Sequence, residues 1–179
     1  MIHAIVNNDP ALEEWFLSCV YGTLYVKDQP SQWNYIKNLR TSVSIPWALI
    51  GDLNVTMNLS DGNTSSPITS PEVLNHINQS DLHDINYIGN PFTWTSNSHG
   101  TGKFKSRIDR ALVNSDFILK YPDATLTHLG QLGSDHVPIM LSLYSINMSK
   151  GRNWKFFEHW MQSDSCATEI MNAWSSDIT

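Results

Sequence analysis

"IPWALIGDLNV", residues 45–55, runs apolar from Trp47 to Ile50 and then breaks at Gly51 into Asp52 and Asn54. Pro46 stands at the beginning of the run, where a strand tolerates a missing N–H. An unbroken apolar run of this length, bounded by Pro and Gly, reads as a buried strand. Burial gives such a strand no reason to end on a carboxylate. Asp52 is therefore either a turn residue or a functional group set at a strand end.

Working outward, residues 2–6 and 15–21 (WFLSCVY) are rich in β-branched and aromatic side chains and read as strands, with Asn7-Asn8-Asp9-Pro10 as the turn between them. Gln32 to Leu39 carries Trp33, Ile36 and Leu39 at helical spacing. Beyond the opening strand, Ser60 to Ser70 is a polar surface loop, and Ser70 is an N-cap with Pro71 at the first helical position ahead of Val73, Leu74 and Ile77. Phe92 to Thr95, a Gly100-Thr101-Gly102 turn and Phe104 to Val113 read as a hairpin. Asn114 to Tyr121 is a short helix stopped by Pro122, and Ala124 to Leu129 and Pro138 to Leu143 are strands. Strands and helices interleave without strict alternation, so the class is α/β (α+β) with a mixed sheet. Residues 1–146 form the domain. Residues 147–179 are a linker around Ser149-Lys150-Gly151 and a loosely helical, aromatic-rich tail carrying Trp154, Phe157, Trp160, Met161, Ile170 and Trp174.

A chain of 179 residues that is 41% hydrophobic can build one globular core. Its net charge of −6 argues against attachment to nucleic acid by electrostatics alone. Lys103, Lys105, Arg107 and Arg110 nevertheless crowd into one short stretch, which either guides a phosphate backbone or protects a solvated hairpin edge. No run is long and apolar enough to span a membrane, and the N-terminus lacks a signal-like block, so the expectation is a soluble intracellular protein, nuclear or cytoplasmic. Cys19 and Cys166 lie far apart without metal-ligand spacing, and neither a disulfide nor a cysteine metal site is expected. His3, His76, His83, His99, His128 and His159 show no ligand spacing and receive no role.

The chemistry sits in three motifs, GDLN (Asp52, Asn54), RIDRAL (Asp109, Arg110) and GSDHVPI (Asp135, His136), each with a carboxylate at or beside a strand end. Taken singly, an Asp after a strand is usually a turn residue or a cap. Three carboxylates brought together repel unless a cation or a shared proton neutralises them, so their combination points to a metal.

VYG (20–22), GDLN (51–54), FTWT (92–95), RIDRALV (107–113) and SDHVPI (134–139), in that order, resemble the endonuclease/exonuclease/phosphatase superfamily, whose fold is that of pancreatic deoxyribonuclease. The resemblance covers Ile2 to Leu143 and is closer still to the endonuclease-like domains of plant non-LTR retroelements. It implies a four-layer αββα sandwich with mixed β-sheets, present here in part, and hydrolysis of phosphate esters with Mg²⁺, Mn²⁺ being an alternative ion. DNA is the implied partner, with no membrane. Residue by residue, Asp135 matches a metal-side carboxylate, and Asp52 a residue that orients or deprotonates the attacking water or binds metal. Asn54 matches an amide donor to a phosphate oxygen, His136 the imidazole facing the scissile phosphate, Asp109 its partner, and Tyr21 a phosphate contact. Trp94 either lines a nucleotide pocket or belongs to the core, and Arg110 is taken with the basic stretch as substrate-binding. The tail, 153–179, looks like the segment that in such polyproteins leads toward a reverse transcriptase, and is a candidate for protein contact.

The resemblance further implies an Asn on a first strand and a metal-binding Glu on a following one, and neither has a counterpart here. Glu13 and Glu14 sit in a turn, in the wrong context, and Gly22 stands where the family commonly continues with a small or Pro-containing turn. The expectation is the C-terminal portion of such a domain with impaired activity. An inactive remnant and a non-catalytic interaction module stay open beside it.

Overall fold

The run Trp47–Asp52 (β3) forms the middle strand of a five-stranded sheet, and its Trp47, Ala48 and Leu49 are completely buried. In this computed structural model the described residues are 1–7, 14–64, 69–144 and 164–175. β1 (Ile2–Val6) pairs antiparallel with β2 (Trp15–Tyr21), and β2 runs parallel to β3. Parallel neighbours need a crossover, which helix α1 (Gln29–Arg40) supplies. It buries Trp33 and Ile36 and begins three residues earlier than the apolar spacing suggests, because Pro30 suits a first turn.

α2 (Pro71–Gln79) starts as expected, with the Ser70 hydroxyl accepting from the Val73 N–H and Val73 and Ile77 buried one turn apart. Trp33, Ile36, Val73 and Ile77 pack with Trp47, Leu49 and Leu112 on one face of the sheet. On the other face Ala48 joins Trp15, Val113, Phe117 and Tyr121. The alternation of strand side chains divides β3 in this way, with Trp47 and Leu49 to one side and Ala48 to the other.

The remaining strands are short. β4 (His83–Asp84) closes the large sheet beside β8 (Asp109–Val113) in the order β1-β2-β3-β8-β4, and β5 (Tyr87–Ile88) joins β9 (Thr125–His128) and β10 (Ile139–Ser142) in a second sheet ordered β10-β9-β5. β4 and β5 are only two residues each, too short to leave a periodic pattern. β6 (Trp94–Thr95) and β7 (Lys105–Ser106) form a two-stranded ribbon. The expected hairpin is thus shorter than its sequence pattern. After Ser106 the chain leaves the ribbon, and β8 (Asp109–Val113) pairs antiparallel with β3 instead. α3 (Ser115–Lys120) follows, its first turn capped by the Asn114 side chain, which accepts from the Phe117 N–H. Within the expected polar loop, Leu59–Asp61 forms a 3₁₀ turn closed by a reciprocal Asn58–Asp61 cap.

The fold class is as expected, an α/β sandwich built on mixed sheets. The chain divides into two compact units, Met1–Ile146 and Asn147–Thr179. The described element of the second is helix α4 (Asp164–Ser175). The turn at Asn8-Asp9-Pro10, Glu13, the Ser149–Gly151 linker and the aromatic residues Trp154, Phe157, Trp160 and Met161 lie outside the described residues. Among the described residues no helix is long and apolar enough to cross a membrane.

Candidate active site

Register sets the site. β2 pairs with β3 so that Tyr21 stands opposite Asp52, and β3 pairs with β8 so that Asp52 stands opposite Asp109. Opposed residues share a sheet face and stand close together. A tyrosine and two carboxylates thereby line up across three adjacent strand ends.

The turn after Asp52 is tightly determined. The Asp52 carboxylate accepts from the Asn54 backbone N–H at 3.0 Å, and Asn54 takes a left-handed conformation with φ 51°. Asn and Asp are the non-glycine residues that tolerate that region best. The Asn54 amide donates to the Gly22 carbonyl at 2.8 Å, and the Gly22 N–H donates to the Asp52 carbonyl at 2.6 Å. A Cβ at position 22 would stand 2.1 Å from the Leu53 carbonyl oxygen, so this close backbone approach is what requires glycine there.

His136 arrives from the other side. Trp94 and His136 are bridged antiparallel, the Thr95 N–H donates to the Asp135 carbonyl, and the Val137 N–H donates to the Thr93 carbonyl. The His136 ring thereby reaches Asp109, whose carboxylate oxygens lie 3.0 and 3.3 Å from Nδ1, while Nε2 stands 4.0 Å from an Asp52 oxygen. A carboxylate only accepts, so the arrangement assigns the Nδ1 proton to the Asp109 bond and turns Nε2 toward Asp52. Burial and then the facing Asp109 carboxylate lift the Asp52 pKa above its ordinary value, outweighing the Asn54 N–H bond and His136.

Six expected residues, Tyr21, Asp52, Asn54, Trp94, Asp135 and His136, line one cleft of about 390 Å³. Asp109 is buried behind His136. Asp52, Asp109 and His136 offer ligand atoms all within 4.8 Å of one another. Asp135 is exposed and not one of that triplet; its carboxylate accepts from the Trp94 indole N–H at 3.2 Å. Trp94 is therefore neither plain core nor plain lining, since it is half-buried and holds an acid of the cleft. The carboxylates of Asp52 and Asp109 are oxygen donors of the kind a hard divalent cation takes, their ligand atoms and that of His136 lie together, and a cation would relieve the Asp52–Asp109 repulsion, so these residues fit such an ion.

Arg110 is a correction. It is completely buried, paired with Asp61 and with Asp84, the latter at 2.5 Å, and cannot reach a substrate. Arg107 is buried too, bonded to Asp61 at 3.1 Å and Asp84 at 2.5 Å, with its guanidinium 4.7 Å above the centre of the Tyr87 ring. Burial raises the Asp61 pKa, but Arg110, the Asn58 and Met57 N–H groups and Arg107 together hold it below its ordinary value. The basic stretch thus splits by location. Lys103 is exposed and Lys105 half-buried, whereas the two arginines are internal struts between the 3₁₀ turn and β8. Sequence reasoning also passed over Thr93, completely buried between Asp109 and His136; its place inside FTWT was the one available signal.

The sequence profile of the endonuclease/exonuclease/phosphatase family matches residues 7–136. The chain belongs to that family. Solved structures agree on the fold. A 3′-5′ exonuclease from Neisseria meningitidis superposes with a TM-score of 0.55 at 17% identity, covering 73% of this chain and 61% of that one. The endonuclease domain of TRAS1, a telomere-specific non-LTR retrotransposon, gives a TM-score of 0.52 at 12% identity, with 78% and 62% covered. A beta toxin variant from Staphylococcus aureus, crystallised with bound magnesium ions, gives 0.50 at 15% identity, with 79% and 53% covered. This family member therefore spans between about half and two thirds of the length of those structures. No curated protein matches the sequence significantly.

Proposed function

We propose that residues 1–146 carry the site of a divalent-metal-dependent phosphodiesterase, by descent a retroelement DNA endonuclease, and that this chain by itself turns over slowly. The observation that carries the reading is the line Asp109–His136–Asp52 across strand ends brought from distant parts of the sequence.

In this reading Asp52 takes the proton of the attacking water while the water oxygen bonds to phosphorus and the ester oxygen departs. Its carboxylate stands at the cleft beside His136 for that step. Asp109 fixes the His136 ring, which presents Nε2 to the cleft, where a proton on it bonds a phosphoryl oxygen. Tyr21 and the second Asn54 amide hydrogen are further donors at the cleft. Asp52 and Asp135 would hold Mg²⁺ or Mn²⁺, which when bound polarises the phosphoryl oxygen and steadies the leaving group.

Slow turnover follows from the ligand count. Among the described residues no glutamate joins the acidic cluster. Glu14 precedes the first residue of β2, whose last residue is the Tyr21 facing Asp52, so the strand holds it roughly 20 Å from the site. Losing one charge-stabilising group from a site of this kind costs about 10² to 10³ in rate. The family of nucleases and phosphatases supports phosphate-ester chemistry, and the TRAS1 endonuclease and the Neisseria exonuclease favour nucleic acid, DNA in this reading, as substrate. Residues 147–179 stand as an appended segment on this reading.

The test is hydrolysis of bis(p-nitrophenyl) phosphate and p-nitrophenyl phosphate with Mn²⁺ or Mg²⁺. Slow, metal-dependent release from the diester, lost in Asp52→Ala, is expected. Preference for the monoester, or release unchanged by EDTA, would overturn it.

A further inference from the structure

Asp109 lies on β8 and His136 in an isolated bridge to Trp94, with no backbone pairing between them, yet their side chains meet at 3.0 Å. Something must fix that separation. Thr93 is the residue whose polar groups reach both sides.

Its backbone N–H and carbonyl and its hydroxyl oxygen are all engaged here. Its N–H donates to the Ser106 carbonyl at 3.0 Å, and its carbonyl accepts from the Val137 N–H, next to His136, at 2.7 Å. Its hydroxyl oxygen accepts from the Ile108 N–H at 3.1 Å and the Asp109 N–H at 3.0 Å. The side chain is completely buried.

The location explains the need. Between Ser106 and Asp109 the chain switches from the two-stranded ribbon to the large sheet. Without that hydroxyl, the buried Asp109 N–H and the partly buried Ile108 N–H would lose this acceptor, and a buried N–H left unpaired is destabilising. One hydroxyl collects both and pins the Asp109 backbone to the residue that pins the His136 strand.

We infer that Thr93 is the positioning residue of the site, its hydroxyl setting the Asp109–His136 distance. This rests on the phosphodiesterase reading for its consequence but not for its geometry. It does not touch substrate; it acts through Asp109.

Thr93→Val keeps the volume and removes the acceptor, whereas Thr93→Ser keeps the acceptor and removes a methyl. The readout is the low-field proton resonance of the His136 Nδ1–H bonded to Asp109, identified by its absence in His136→Gln. In Thr93→Val that resonance is expected to broaden or disappear, and kcat on bis(p-nitrophenyl) phosphate to fall by up to about 10² with KM little changed, as for a catalytic group displaced by about an ångström. Thr93→Ser is expected to restore both. A Thr93→Val chain that melts at lower temperature yet keeps the resonance would reduce Thr93 to packing and overturn the inference. If Thr93→Val does not fold, Thr93→Ser decides: loss of the resonance there means the methyl, not the hydroxyl, does the holding. A wild-type chain that shows the resonance but hydrolyses no diester sinks the function while the positioning role stands on the resonance.

Discussion

Asp52 and Asp109 face each other as register partners on β3 and β8, two carboxylates at one strand end with the His136 ring against both. Like charges directly opposite on a sheet destabilise it. Burial and Asp109 accordingly lift the Asp52 pKa above 3.8. A carboxyl whose folded pKa is raised binds more protons folded than unfolded, so stability falls as pH rises from 3.8 through the raised value, and the cost is in full at neutral pH. Asp52→Asn keeps the acceptor for the Asn54 N–H and removes the charge. It should stabilise the fold by about 0.2–1 kcal/mol at neutral pH, with the gain shrinking as pH falls through the raised pKa and gone below the ordinary 3.8. Thermal melts across pH test this; a gain that grows toward acid would contradict it.

His136 and Asp109 should fail together. His136→Ala removes the imidazole and is expected to lower kcat on a diester by about 10² to 10⁴. Asp109→Asn leaves the ring without its anionic anchor. The double variant should be hardly slower than His136→Ala, because the two act as a unit. Independent, multiplying losses would separate them.

Trp94 should be legible in metal binding. Its indole N–H steadies the Asp135 carboxylate, and such outer partners of a ligand are commonly worth 10- to 100-fold in metal affinity. Trp94→Phe keeps the ring and loses the N–H. Electron paramagnetic resonance of free Mn²⁺ should show about tenfold weaker binding. Unchanged affinity would release Asp135 from its role as a ligand.

A second acid-sensitive point lies far from the site in sequence. Burial opposes ionisation of Asp81, but bonds from the Ser115 hydroxyl and N–H, His83 and Arg40 pull its pKa down to about 2. A depressed carboxyl stabilises the fold above its ordinary 3.8, and that support is lost as pH falls toward 2. Asp81 also has φ 54°, which asparagine accepts. Asp81→Asn should lower the melting temperature at neutral pH and match the wild type near pH 2. A constant difference across that range would locate the effect elsewhere.

Much of this was legible in residue patterns. The run at Trp47–Ile50 announces a buried strand, and Ser70-Pro71 announces the start of α2. The Asp109–His136 meeting was anticipated from motif resemblance, and the distance agrees. The register that opposes Asp52 to Asp109 was not legible, because which strands pair is a tertiary fact. Arg110 was misread for a related reason. A basic cluster looks like a surface until its partners are known, and Asp84 and Asp61 come from remote segments. Thr93 was visible only as part of FTWT, because a threonine in a strand carries no periodic signal of what its hydroxyl accepts.

The central claim is that the Asp52, Asp109 and His136 cluster hydrolyses phosphodiesters, slowly in this chain. The most direct measurement is nicking of a supercoiled plasmid with Mg²⁺ or Mn²⁺ by the wild type and by His136→Ala. Slow, EDTA-sensitive nicking that His136→Ala abolishes is the expected result. Nicking that survives His136→Ala unchanged, or no nicking with either ion at high protein concentration, would contradict the claim.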